Sequence, residues 1–378
     1  MNTHQRAPKG MDSSSLEGVI EFSSEAPLDA DERAQAKGKL YNIIDHFEAV
    51  NTSGSGNKSN PYNRPKLVRL TYEYVRSEES QDIFLRAFFQ AIALSMDGED
   101  DVDFSSNELE EEVGSALFRF ADYLFDNFFL PRRTGVSFLL LSSSLPSTGG
   151  GVQDFARTPG RMAELRGDCL VRDRHRCVIS RRFDQDEAIR RLTRNSDEAK
   201  DDDGNLLGEQ TQFDLLKVAH ILPHALIKME SHPSKKVVVD ILNMFDNGVT
   251  HLIEGNDIDR PLNAITLNST LHRLFGAFLV FLQPVSDAEP HNYRVDSFFP
   301  PLIMRALLPD TRTLYLTENW TIDPPSPRLL AIHCAIAHIL HLSEAGAYID
   351  KLLDDMEMGN IRADGSIGRL VTLGLDGY

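Results

Sequence analysis

The sequence predicts an α+β fold, with a mainly α-helical N-terminal domain followed by a smaller domain with flanking strands and a C-terminal helix. Apolar residues recur at three- and four-residue spacing through residues 36–131, which is typical of amphipathic helices. Two short apolar runs, at 217–222 and 263–267, precede another helical pattern. The chain has 378 residues, enough for two or three folding units at roughly 100–200 residues each.

Composition divides the chain into five segments. Residues 1–35 are rich in Ser, Glu, Asp and Ala, and we expect them to form a disordered tail. The helical domain is predicted over 36–131, and a Ser-, Gly- and Pro-rich linker over 132–165. Residues 166–285 should then form the strand-containing domain. We expect 286–378 to add a hairpin and a helical extension packed on it.

Local patterns define the individual elements. Two helices are predicted between Lys66 and Met96, separated near the sequence SEES. A further helix should end at Pro131. The run FLVFLQPVSDAEPHNYRVDSFF is expected to form a hairpin, and RTLYLTENW another strand. A long helical pattern begins at Ser326-Pro327, where serine can act as the cap and proline fits the first turn.

Charge and cysteine content exclude several classes of protein. The chain has 57 Asp+Glu against 39 Lys+Arg, a formal charge of -18, so it is not a uniformly basic nucleic-acid-coating protein. Its cysteines are Cys169, Cys177 and Cys334, without a C-x-x-C pair, which excludes a disulfide scaffold and a four-cysteine zinc site. No signal peptide or membrane span is predicted, and we expect an intracellular location, nuclear or cytoplasmic.

One basic segment stands out against this acidic background. Residues 166–194 contain nine arginines and five acidic residues, and the acidic run DEAKDDDGN follows directly. Two interpretations are open. The two segments can be solvated faces of opposite sign, or the basic one can contact nucleic acid locally.

The middle third of the chain carries the candidate site residues. The run KVAHILPH (217–224) predicts a strand that ends at Pro223 and includes His220. A second strand should begin at Asn263, and Asn268 or Ser269 can then cap a helix that includes His272. The order is therefore strand, loop, strand and helix.

These residues resemble the HNH endonuclease family, with its ββα-metal fold. His220 stands in AHILP, Asn263 in PLNAITL, and His272 nine residues later in HRLFGAF. The run RDRHRCVIS around Cys177 is similar to the opening strand of the branch common in fungal proteins. The resemblance covers about residues 166–285 and implies hydrolysis of phosphodiester bonds in nucleic acid, with DNA favoured.

The resemblance implies a role for each motif residue. His220 is the water-activating base, suited to that task by an unperturbed pKa of ~6.5. Asn263 holds the loop that aims His220, and His272 is a ligand of a divalent cation, Mg²⁺ or Mn²⁺ before Zn²⁺. On charge alone, the candidate phosphate contacts are Arg172, Arg174, Arg176, Arg181 and Arg182.

Two departures from the family pattern leave the metal site incomplete. The residue before the base is Ala219, where relatives often have a metal ligand, and Gly276 stands four positions after His272. His224, Asp257 and Asp259 are the candidates for a further ligand.

Three functions therefore remain open. The first is a metal-dependent endonuclease. The second is a degenerate HNH module that binds nucleic acid or protein without catalysis, and the third is an interaction protein that acts through its helical domains. The sequence leaves the substrate, the physiological metal and the oligomeric state undetermined.

Overall fold

The computed structural model describes residues 26–53, 61–97, 102–131, 159–223, 234–285, 289–300, 302 and 308–357. Its α-helices are α1 (Ala30–Ser53), α2 (Arg64–Glu73), α3 (Glu78–Ile92), α4 (Asn107–Leu124), α5 (Pro159–Arg172), α6 (Gln185–Asn195), α7 (Ser234–Phe245), α8 (Ser269–Gly276), α9 (Pro327–Leu342) and α10 (Ala345–Glu357). Its strands are β1 (Phe183–Asp184), β2 (Phe213–Asp214), β3 (Leu216–His220), β4 (Ala264–Asn268), β5 (Val280–Pro284), β6 (Asn292–Ser297) and β7 (Thr311–Thr313). The fold is mixed helix and strand, as predicted.

Side-chain caps mark where two of the N-terminal helices begin. α2 and α3 confirm the two helices expected between Lys66 and Met96. The Asn63 side chain caps α2, and the Ser77 side chain caps α3, each by accepting a backbone N–H bond. α4 continues without a break into a π-helical turn, Phe125–Phe129, which ends just before Pro131.

Two helices begin inside the segments predicted as tail and linker. α1 begins at Ala30, inside the segment 1–35 that we predicted to be disordered. Arg33 pairs there with Asp82 of α3 at 2.6 Å, a tertiary contact that composition does not reveal. The structure describes nothing of residues 1–25. α5 likewise begins at Pro159, within the predicted linker, because its Leu165 and Cys169 pack against Ala264 of β4.

The ββα unit forms in the predicted order. β3 pairs with β4 in antiparallel register, so that His220 faces Ala264 and Leu216 faces Asn268. Asn268 then caps α8 by accepting the Leu271 N–H at 2.8 Å. α8 packs on both strands.

The C-terminal region differs from prediction at two points. The hairpin is confirmed as β5 and β6, but RTLYLTENW contributes only two residues, Arg312 and Thr313, to the short strand β7. The long helical pattern after Ser326 is two helices, α9 and α10. The chain turns between them because Glu344 has a left-handed φ of 65°.

One hydrophobic core joins the N-terminal helices to the ββα unit. α2 packs on α9, and α3 packs on α7. Phe84, Phe120 and Phe128 from the N-terminal helices share this core with Phe275 of α8 and Phe281 of β5. Within the described ranges, no single helix has the length and apolar character to cross a membrane; α9 and α10 reach both only together, across a bend of 79°.

Candidate active site in the ββα unit

The register of β3 and β4 brings the three motif residues to one unit. His220 is the last residue of β3, and Asn263 directly precedes β4. His272 lies on α8, which packs against β3. Residues that are 52 positions apart in sequence therefore share one ββα unit.

Asn263 is fully buried and holds two loops together. Its Nδ2 donates to the carbonyls of Leu222 and Ile258, both at 3.0 Å, and its Oδ1 accepts the Leu222 N–H at 2.9 Å. The Asn263 carbonyl also accepts the N–H of Ile221 at 2.8 Å. Since Leu222 follows His220 closely and Ile258 precedes Asp259, Asn263 fixes both segments relative to each other.

His220 and Asp259 are direct neighbours. His220 Nε2 lies 3.0 Å from Asp259 Oδ1, and less than a tenth of either side chain is exposed. A carboxylate at this distance accepts a hydrogen bond from an imidazole and orients its ring. The pair has the geometry of a histidine base with its orienting acid.

His272 is half-buried beside this pair. Burial lowers the pKa of His272, and electrostatic interactions with Lys217 and His220 lower it further, against a hydrogen bond with the Val218 backbone that raises it. A lowered pKa favours the neutral imidazole, which is the form that binds metals.

The described residues alone do not complete a metal site. No group of three or more His, Cys, Asp and Glu side chains is arranged to hold a metal within the described ranges. Asp257 is about half exposed and lies 3.9 Å from Arg260, and Asp259 contacts His220. Ala219 is buried, and its methyl side chain has no atom that could bind a metal. His224, another candidate ligand, lies outside the described residues.

A comparison with protein families matches this unit. Residues 177–283 match the family model described as HNH endonuclease. The chain contains an HNH domain. Searches of curated proteins and of solved structures gave no match. The matched segment spans β3, β4 and α8, and it does not include α5, the N-terminal helices or the elements from β6 onward.

Arg172, the last residue of α5, is a structural residue, which corrects its prediction as a phosphate contact. Its side chain is fully buried and forms a bidentate pair with Asp173, at 2.8 and 2.9 Å. It also donates to the carbonyls of Pro261 and Ala264. These bonds anchor the start of β4 to the end of α5, so the guanidinium is unavailable to nucleic acid.

Two further arginines pair with the acidic run that follows the basic segment. Arg174 pairs with Asp203, and Arg176 donates to Asp201. Arg182, nearly half exposed, lies 3.4 Å from Asp214. Arg191, which we did not assign to nucleic acid, bridges to Asp202 at 2.7 Å. Arg174, Arg176 and Arg191 thus pair with the acidic run, whereas the first of our two interpretations expected two solvated faces.

Sequence reasoning missed one functional contact. We considered Asp259 only as a metal ligand, and its contact with His220 was not anticipated. The available signal was its position four residues before Asn263, in the loop that Asn263 was expected to hold.

Proposed function

We propose that the chain is a metal-dependent HNH endonuclease that hydrolyses phosphodiester bonds in nucleic acid, with DNA as the favoured substrate. The single observation that carries the proposal is the contact between His220 and Asp259, inside a segment that matches the HNH endonuclease family. Residues 166–285 are the proposed nuclease domain. The helical domain and the C-terminal extension pack on this nuclease domain through one shared hydrophobic core.

In this proposal His220 acts as the general base. It removes a proton from the attacking water, the water oxygen bonds to phosphorus, and the bond from phosphorus to the leaving sugar oxygen breaks. Asp259 stabilises the imidazolium that forms on His220. Asn263 keeps the loops carrying both residues in position, which matters because small displacements of reacting groups reduce rates strongly.

A divalent cation belongs to the proposal because HNH domains generally use one. We propose Mg²⁺ or Mn²⁺ before Zn²⁺, with His272 as the assigned ligand. Such an ion would neutralise charge that develops on the phosphate oxygens. The described side chains do not fit a resident metal by themselves, so the proton transfer to His220 is derived without it.

A second candidate function is a degenerate HNH module that binds without catalysis. The observations that favour it are Ala219, Gly276 and the absence of a three-ligand group within the described ranges. This module would retain the ββα unit and the Asn263 hydrogen bonds while hydrolysing nothing.

Plasmid nicking separates the two functions. Supercoiled plasmid is incubated with the full chain and Mg²⁺ or Mn²⁺, and the His220→Ala variant is compared with His251→Ala. His251 is a matched control because its side chain is 80% exposed. We expect His220→Ala to lose about 10²–10⁴-fold in rate and His251→Ala to retain it. Undiminished nicking by His220→Ala would reject the assignment. No nicking and no metal binding by the native chain would favour the degenerate module.

A further inference from the structure

Two partly buried arginines, Arg181 of the basic segment and Arg312 of β7, are held without a carboxylate partner among the described residues. Arg181 lies in the tight turn after Cys177, and Arg312 lies on β7, which the family match does not include. Within the described part of the chain, neither forms an ion pair with a carboxylate. By contrast, Arg172, Arg176 and Arg191 each have one.

The two guanidinium groups are held by carbonyls and by an aromatic ring. Arg181 donates to the Thr313 carbonyl, and its guanidinium lies 3.9 Å from the centre of the Tyr315 ring. Arg312 donates to the carbonyl of Ile179 at 2.6 Å and to that of Thr311 at 3.0 Å. Carbonyls and aromatic faces orient a cation, but they do not neutralise its charge.

The positive charges of Arg181 and Arg312 are not balanced by a paired carboxylate among the described residues. Arg181 has a left-handed φ of 64°, and its Nη1 is enclosed without an acceptor among the described residues. Burial lowers the pKa of Arg181, and burial together with the charge of Arg181 lowers the pKa of Arg312. Two cations that repel each other are thus kept together in a protein of net charge -18.

We propose that Arg181, Arg312 and Tyr315 form a phosphate-binding site for the backbone of the nucleic-acid strand. All three side chains are partly exposed, so a ligand can reach them. The planar guanidinium fork matches the geometry of phosphate oxygens. The inference rests on the proposed nuclease function for the identity of the anion, and it assigns part of the substrate contact to the C-terminal extension.

The strand order is compatible with one substrate that reaches both sites. Val178, close to Arg181, donates to the Thr266 carbonyl of β4, and β4 pairs with β3, which carries His220. With strands about 4.8 Å apart, Val178 lies about 10 Å from β3. Three nucleotides of duplex DNA cover that distance, at roughly 3.4 Å each along the axis.

Salt-dependent binding tests the site independently of catalysis. Fluorescence anisotropy is measured on a labelled duplex of about 20 base pairs without divalent metal, between about 50 and 200 mM salt. We expect the double variant Arg181→Gln/Arg312→Gln to lower the slope of log affinity against log salt by about 0.9 for each phosphate that these arginines neutralise in the native chain. The control Arg190→Gln removes an exposed arginine that pairs with Glu187, and its slope should match that of the native chain.

A charge-retaining variant separates binding from folding. Arg181→Lys/Arg312→Lys should keep most of the slope, because lysine still neutralises a phosphate. An unchanged slope in the Gln variant, or equal losses in the Lys and Gln variants, would overturn the site. So would a native chain that does not bind the duplex. Salt-dependent binding that needs Arg181 and Arg312 in a chain that does not nick plasmid would keep the site and reject the catalytic proposal alone.

Discussion

The ββα unit and the arginine-rich segment differ in how their polar residues find their partners. In the ββα unit, His220, Asn263 and Asp259 converge through strand pairing and two loops, although 43 positions separate His220 from Asn263. In the arginine-rich segment, three of the nine arginines, Arg174, Arg176 and Arg191, meet carboxylates supplied by the acidic run just downstream. Polar residues therefore form the His220–Asp259 pair in the ββα unit. In the arginine-rich segment they form ion pairs that neutralise each other's charge.

This difference shows that the order and spacing of motif residues predict which side chains lie together better than charge does. In a strand, the position of a residue decides on which face and at which end of the strand its side chain lies. The order of the residues therefore constrains the geometry of a site built on strands. A run of arginines fixes neither the partners nor the burial of its members. Arg172 is an extreme case, since it is the largest fully buried side chain of the described residues.

Loss of Arg172 is expected to have the largest effect on stability. Arg172→Ala leaves Asp173 buried without its partner and frees the carbonyls of Pro261 and Ala264. We expect a loss of about 3–5 kcal/mol in the free energy of unfolding, measured by urea denaturation. Arg182→Ala, with an exposed ion pair, should cost less than about 1 kcal/mol. Equal small costs would mean that Arg172 is a surface cation after all.

Asn263→Ala should have an intermediate effect on stability and should also slow nicking. It leaves the backbone of Leu222 and Ile258 without three buried hydrogen bonds, which we expect to cost about 1–3 kcal/mol. The matched control is Asn256→Ala, an exposed asparagine in the same loop. A stable, fully active Asn263→Ala variant would show that this asparagine does not position the loops.

Arg191→Gln should have a smaller, pH-dependent effect. Burial would raise the pKa of Glu187 and of Asp202, but hydrogen bonds from arginines, and from His175 for Asp202, lower both to about 2. Because these folded-state values lie below the ordinary 4.5 and 3.8, the stabilisation is present above about pH 4.5 and is lost as pH falls towards 2.

The expected cost of Arg191→Gln is therefore about 1 kcal/mol at neutral pH, after allowance for solvent screening. Denaturation curves of the native chain and the variant, recorded from about pH 7 down to about pH 2.5, should converge at the acid end. A difference that stays constant with pH would show that Arg191 stabilises the segment by packing.

Much of the fold could be predicted because its signals are local. The strands around His220 and Asn263, the cap at Asn268 and the hairpin of β5 and β6 each follow from short patterns. The start of α1 at Ala30 could not be predicted, because the contact of Arg33 with Asp82 joins residues 49 positions apart. The break at Glu344 depends on one backbone angle that apolar periodicity does not encode.

The candidate site, like the fold, could be predicted only in part. Spacing predicted that His220, Asn263 and His272 would share one unit, because each is tied to a strand end or a helix. The partner of His220 was not predictable, since Asp259 belongs to a 3-10 helical loop whose path is set by the Asn263 hydrogen bonds. Burial of Arg172 depends on a carboxylate next to it and on carbonyls about 90 positions away.

The central claim is that Asp259 orients His220 for catalysis, and a comparison of two aspartates tests it most directly. Asp259→Asn removes the charge beside His220, whereas Asp296→Asn changes an aspartate of β6 that is 41% exposed and pairs with Arg294. Plasmid nicking rates of both variants are measured at one pH and one Mg²⁺ concentration, with thermal unfolding recorded in parallel. We predict a loss on the order of 10²–10⁴-fold for Asp259→Asn and an unchanged rate for Asp296→Asn. Equal rates in the two variants, with both folded, would contradict the claim.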